Sequence, residues 1–410
     1  MLKKPRLLDK NVTSSLLPTY ARAELAFARG EGAWLTSTKG ERFLDFGAGI
    51  AVSSLGHAHP TLVAALTRQG QKLWHTSNVF EIPEAEHLAR QLTAATFADL
   101  VFFTNSGAEA VEGSLKTARK YQYVSGHPER FEIVTCEGAF HGRTLATVSA
   151  GGNPKYLEGF GPKVEGFVHI PMNDIDALRA AVGPKTAAIM VEPIQGEGGV
   201  RVANRAFLET MRKLCDEHGL LLIFDEVQSG VGRTGKLFAY QHFGIVPDIM
   251  ATAKGLGGGF PLGAFLTTKE AGKGMVAGTH GTTYGGNPLA TTIGSAVLDI
   301  VLAPGFLDHV EAMGQLLKRR LGELRDAHPS IVAEVRGIGL MLGLAARVPI
   351  GDFVLAARQE KILVIQAAEN VARILPPLII GVEEIDEAIR RLDLACFCLE
   401  AKLSGQRAAQ

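Results

Sequence analysis

In the middle of the chain the apolar residues fall in short, nearly unbroken runs. "LVFFT" (100–104), "FEIVTC" (131–136), "TAAIMV" (186–191), "LLLIF" (220–224), "DIMATA" (248–253) and "GAFLT" (263–267) lack the alternation of a half-solvated strand. Strands covered by helices on both faces read this way. Between the runs, apolar residues return at helical spacing, as at Ala108, Val111, Leu115 and Ala118, or at Phe207, Met211 and Leu214 with His218 continuing the face. Strands alternating with helices predict an α/β domain built on a mostly parallel sheet. From about residue 305 the pattern changes. Helical segments mix with the short strands "IVAEV", "LMLGLA" and "VARIL", and the chain closes on a long amphipathic helix. Its apolar stripe is Ile385, Ile389, Leu392, Cys396 and Leu399. The expected division is a large α/β domain at 46–304 and a smaller α+β domain formed by both chain ends, 1–45 and 305–410.

The 410-residue length suits two cores better than one. Forty-two basic residues balance forty-two acidic ones, which argues against a large nucleic-acid or anionic-membrane surface. No apolar run approaches the roughly 20 residues that span a bilayer. Neither nucleic acid nor membrane is an expected partner. Four cysteines do not make a disulfide framework, and a cytoplasmic location is expected. Cys396 and Cys398 form a C-x-C, but Cys396 lies on the apolar stripe, so a buried core position is expected rather than a metal ligand. His57, His59 and His141 come without HExxH or convergent Cys/His spacing, so no metal is expected. "MLKKPRLLDK" at the start lacks the apolar core of a signal peptide, and "NVT" (11–13) matches a glycosylation sequon of no consequence in the cytoplasm.

In open α/β sheets ligands gather beyond the carboxyl ends of the strands, so the residues after each run carry the chemistry. After "LVFFT" comes "NSGAEA", where Asn105 or Ser106 caps a helix whose free N–H groups suit a phosphate, or simply cap it. After "FEIVTC" comes "EGAFHGRT", with Phe140 as a ring to stack on a flat ligand and Arg143 as a carboxylate fork, or as a surface arginine on a turn. Asp225 ends the most apolar strand, where a carboxylate is costly without a cationic partner. Lys254 follows "DIMATA" and precedes Gly255, Gly257, Gly258 and Gly259. A lysine desolvated there has a lowered pKa, and its neutral amine can form a Schiff base with a carbonyl. A phosphate, a flat ring, a ring nitrogen needing a carboxylate and a carbonyl awaiting a lysine together describe pyridoxal 5′-phosphate. No Walker A or G-x-S-x-G pattern is present, no G-x-G-x-x-G directly follows a strand, and the glycines at 257–259 follow the lysine rather than precede it.

With those residues in place the chain resembles the class III (ornithine-type) aminotransferases of PLP fold type I. The matching stretches run almost end to end: "LDFGAGIAVSSLGHAHP", "KLWHTSN", "VFFTNSGAEAVE", "GAFHGRTLAT", "EPIQGEGG", "DEVQSGVGRTG", "AKGLGGGFPLGA", "GTHGTTYGGNPLA" and "RILPPLII". The resemblance implies a PLP-dependent transaminase with amino-acid and 2-oxo-acid substrates. It implies that Lys254 holds the cofactor and shuttles the proton, while Asp225 pairs with the pyridine nitrogen. Ser106, Gly107 and Ala108 cradle the phosphate, Phe140 and Val227 cover the two ring faces, and Gln228 reaches the ring hydroxyl. Thr283 reaches the cofactor phosphate of a neighbouring subunit, with Thr282 beside it near substrate, which makes a homodimer with active sites at its interface.

For substrate, the resemblance gives Arg143 the far carboxylate and Arg373 the α-carboxylate of glutamate or 2-oxoglutarate, with Glu197 masking Arg373 while an amine substrate is bound. Tyr20 aligns with a further aromatic of the substrate pocket. Ile50 stands where ornithine-using members carry a tyrosine that holds a free α-amino group, which favours an N-acylated or amine-only substrate. Ser229 stands where threonine is common. The likeness is greatest to members acting on acetylornithine in arginine biosynthesis. Succinylornithine, succinyl-diaminopimelate and 4-aminobutyrate remain open as substrates.

Overall fold

The computed structural model describes residues 15–408; the basic N-terminal stretch and the sequon at 11–13 lie outside the described residues. Seven strands form the central sheet: β1 Leu100–Thr104, β2 Glu132–Cys136, β3 Phe167–Ile170, β4 Thr186–Val191, β5 Leu221–Asp225, β6 Ile249–Thr252 and β7 Gly263–Thr267. Their order is β1-β7-β6-β5-β4-β2-β3. Neighbours from β6 to β3 pair in parallel, while β7 runs antiparallel to both β6 and β1. The sheet is therefore mostly parallel, as its apolar runs predict. β3 was absent from that expectation because "FVHI" is a half-buried edge strand containing His169.

Successive residues of the strands enter different cores. Ile189, Val191, Leu222, Phe224 and Met250 pack into one apolar cluster, and Ala188, Met190, Leu221, Ile223, Ile249 and Ala251 into another. Both faces are thus covered, because side chains alternate across a strand. A further core joins Ala33, Leu44 and Phe46 to residues from 310 to 399, including Leu392, Cys396 and Leu399 of the closing helix Val382–Ala408. Cys396 is a core residue, and no cluster of metal-ligating side chains occurs among the described residues. The backbone link is direct, since Leu44 pairs with Ile362 in parallel.

Two groups tie this core to the sheet. The buried Arg233 donates from Nη1 to the carbonyls of Leu340 (3.1 Å) and Pro376 (2.5 Å), and burial without a carboxylate lowers its pKa to about 9. Residues 45–57 form the other bridge. Asp45 Oδ1 accepts from the N–H groups of Gly47 and Ala48, and its Oδ2 lies 2.8 Å from His57 Nε2. Between them Ala48, Gly49, Ile50 and Ala51 have φ of 44°, 63°, 65° and 61°, one full left-handed turn. Beyond that turn Ser54 Oγ donates to the carbonyl of Gly255.

Candidate active site

The parallel register sets the site. Asp225, the last residue of β5, pairs with Ala251 of β6, and Lys254 stands three residues further along. On the other side Phe224 pairs with Val191, so Glu192, the first residue after β4, lies level with Asp225. The loop after β2, the next strand, carries Phe140, His141 and Arg143. Four neighbouring strand ends thus deliver an aromatic ring with a histidine, two carboxylates and a lysine to one edge.

Lys254 opens a 3₁₀ turn, Lys254–Gly257, with φ of 42° at the lysine itself. Gly258 and Gly259 follow with φ of 54° and 117°, so the chain reverses directly into antiparallel β7. The lysine side chain reaches a cavity of about 430 Å³, within the range of small-molecule sites. Burial, together with the charge of Arg373, lowers its pKa to about 8; Asp225, Glu192 and Glu197 oppose that shift in part. Its amine has no hydrogen-bond or ion-pair partner among the described residues.

Ser106, Gly107, Ala108, Phe140, Arg143, Asp225, Val227 and Gln228 line the same cavity, with His141 and Glu192. Ser106 is the N-cap of the helix Gly107–Val124, its hydroxyl accepting from Glu109 N, and Asn105 donates instead to the Glu109 carboxylate. A Cβ at Gly107 would come within 2.7 Å of Val227, so only glycine lets Val227 lie against this helix start. Asp225 Oδ1 accepts from Val227 N at 3.0 Å, and Oδ2 lies 2.7 Å from Nδ1 of the buried His141. Burial alone would lower the His141 pKa, but the Asp225 bond and the charges of Asp225 and Glu192 outweigh it and raise it.

Arg373 is 1 % exposed and sits in the strand Val371–Ile374. Its Nη1 lies 2.9 Å from Glu197 Oε1 and donates to Gln228 Oε1 at 3.2 Å, so the guanidinium is joined to the cavity wall through Gln228. Arg143 is exposed and lies over the Tyr156 ring, 3.7 Å from its centroid, which orients the fork by cation–π contact. The other expected residues lie elsewhere in this chain. Tyr20 is 73 % exposed beside Arg22 and does not line the cavity. Thr282 and Thr283 lie in a surface turn tied to Asn78, whose amide donates to the carbonyls of Thr282 and Gly285. His141 and Glu192 were missed as site residues. His141 meets Asp225 84 residues away and Glu192 meets Phe140 52 residues away, and these long-range contacts leave no local spacing to mark the pair as part of the site.

These groups suit pyridoxal 5′-phosphate: a helix start for its phosphate, a carboxylate with a histidine behind it for its ring nitrogen, and a desolvated amine for its aldehyde. The profile of the family "Aminotransferase class-III" matches residues 18–396. The chain belongs to that family and is a PLP-dependent transaminase. It is 60 % identical over 387 residues to an acetylornithine aminotransferase from Agrobacterium fabrum, covering 94 % of this chain and 97 % of the relative. A Pseudomonas aeruginosa protein described as succinylornithine transaminase/acetylornithine aminotransferase is 52 % identical, covering 93 % and 94 %. The crystal structure of ornithine aminotransferase from Toxoplasma gondii superposes with a TM-score of 0.91 at 32 % identity, covering 95 % and 94 %.

Proposed function

We propose that this transaminase takes the side-chain amine of N2-acetyl-L-ornithine to 2-oxoglutarate, giving N-acetyl-L-glutamate 5-semialdehyde and L-glutamate. The carrying observation is the pair of forks about the cavity. Arg143 is open, whereas Arg373 is bound to Glu197. An amine substrate then meets one free fork, and an α-keto diacid meets two once Glu197 turns away. Identity to acetylornithine aminotransferases supports this choice. The fold alone does not select it, since an ornithine aminotransferase superposes closely. Ile50, which stands where ornithine-using members carry a tyrosine, agrees with an acylated α-amine.

The cofactor supplies a conjugated pyridine ring that accepts electron density from the substrate carbon losing its proton. Lys254 would hold the cofactor through its aldehyde carbon, and its neutral amine would serve as the base that carries the substrate proton. Asp225, oriented by His141 and Val227 N, would keep the ring nitrogen protonated. Phe140 and Val227 would hold the ring flat, Gln228 would reach its hydroxyl, and Ser106, Gly107 and Ala108 would take the phosphate. Thr283 would serve the phosphate of a second subunit, with Thr282 beside substrate, in a homodimer. Exposed Trp74, Val79, Phe80 and Tyr284 near that turn support such an interface. Four free cysteines suit the cytoplasm. We divide the chain at 46–304 against 1–45 with 305–410.

Rates with acetylornithine, succinylornithine, ornithine and 4-aminobutyrate, measured side by side, test the substrate. The acetylated compound should be among the fastest, and faster turnover of free ornithine would sink the proposal. Succinylornithine is the second reading, favoured by the dual description of the Pseudomonas relative.

A further inference from the structure

The roles above leave Glu192, the first residue of "EPIQGEGG", unused. It is a carboxylate 4 % exposed, without a cationic partner in hydrogen-bond contact. Such a group is costly to bury unless its oxygens are met. Both are met by backbone, and by two different loops. Oε1 accepts from Phe140 N at 2.8 Å, in the loop after β2, and Oε2 accepts from Gly196 N at 3.3 Å, in the loop after β4. Gln195 adds a second stitch, its Nε2 donating to Glu137 O at 2.9 Å. The loops also touch directly, for a Cβ at Gly198 would come within 2.7 Å of the Gly138 carbonyl oxygen.

From Gly196 the contacts continue to the fork. A Cβ at Gly196 would come within 2.3 Å of the Gln228 amide, so the bare backbone is what lets Gln228 lie there. Gln228 Oε1 accepts from Arg373, and Glu197, the next residue in the chain, pairs with the same guanidinium. Phe140 at the cavity wall and Arg373 at the fork are thereby joined through one carboxylate.

We propose that Glu192 is a positioning residue that locks the Phe140 loop to the Gly196–Glu197 loop, so that the face receiving the cofactor ring and the mask on Arg373 are set together. It rests on the reading of Phe140 as the ring wall and of Glu197 as the mask. With Gly196 pinned, Glu197 leaves Arg373 by turning its own side chain, and the loop stays in place. The mask returns to the same position after each glutamate half-reaction.

Glu192→Gln tests this. The amide keeps the volume but has one acceptor oxygen, and its NH₂ must face one of the two backbone N–H groups, releasing one loop. Titrating the apoenzyme with pyridoxal phosphate should give about tenfold weaker binding. In single-turnover measurements on the holoenzyme, the ratio of kcat/KM for glutamate to that for the amine substrate should rise about tenfold, because the mask is needed only by the amine. A merely structural role would lower the melting temperature and leave that ratio alone. Glu192→Asp keeps the charge but is one methylene too short to span both loops, and should show the same shifts. Unchanged affinity and ratio in Glu192→Gln, or wild-type behaviour in Glu192→Asp, would overturn the proposal. If neither variant folds, amide exchange in the wild-type holoenzyme decides. Phe140 and Gly196 should be protected to a similar degree, and rapid exchange at Gly196 would overturn the lock. A wild-type protein without transaminase activity towards any of the amines would instead overturn the functional reading.

Discussion

Lys254 combines two costs at one residue. Its backbone is left-handed, a region worth roughly 1 kcal/mol or more against a side chain with a Cβ, and its amine is desolvated. The second cost depends on pH. With a folded pKa of about 8 and an ordinary value of 10.5, the folded apoprotein holds fewer protons than the unfolded chain between those limits. Its stability therefore rises with pH from about 8 to 10.5, and the penalty is constant below 8. Lys254→Met removes the amine and keeps the length. Denaturant titration of the apoprotein should find the variant more stable at pH 7 by on the order of 3 kcal/mol, the difference fading towards pH 10.5. A pH-independent difference would refute the desolvated amine. The lysine was legible in the sequence because an apolar strand and four glycines frame it. Its φ was not, and neither was the His141–Asp225 pair, since both are set by tertiary contacts.

At the scale of elements, the strands were readable from their apolar runs, but direction was not. β7 is as apolar as its parallel neighbours and runs the other way because the glycine turn after Lys254 reverses the chain on the spot. The left-handed turn at 48–51 was hidden for a different reason. Alanine and isoleucine have no local preference for positive φ, and the turn is held from outside, by Asp45, His57 and the bond from Leu375 N to Phe46 O. Ala48 is fully buried, yet glycine there should stabilise the protein rather than weaken it. Relief of a positive φ exceeds the added unfolded-state freedom, and a gain of about 0.5 kcal/mol is expected in urea titration of Ala48→Gly. A loss above about 1 kcal/mol would show that the alanine methyl contributes more packing than its backbone costs.

For the whole molecule, the placement of Thr282 and Thr283 on a surface turn away from their own cavity gives the proposed dimer a direct test. Lys254→Ala and Thr283→Ala are each expected to be weak alone. Refolded together in equal amounts, half the dimers should be mixed, and each mixed dimer should hold one complete site. Activity should then return to about a quarter of the wild-type value. No recovery in a mixture shown to exchange subunits would place Thr283 outside the neighbour's site. The sequence shows a change of rhythm near residue 305, and residues from 310 to 399 enter a core of their own with Ala33, Leu44 and Phe46. The bridges that hold the two cores together, Arg233 and residues 45–57, were not legible there, because each meets partners more than 100 residues away.

The pairing of Leu44 with Ile362 also has a consequence for how the protein is made. Leu44 leaves the ribosome more than 300 residues ahead of the Ile362 with which it pairs. At roughly 5–20 residues per second that is a wait of some 15–60 s. During that interval Leu44 and Phe46 have no core to enter, while the central sheet, encoded in one continuous stretch, can assemble. Emergence of residue 362 is thus the event that lets Leu44 pair, and a nascent chain halted before it would keep Leu44 and Phe46 open to chaperones and proteases.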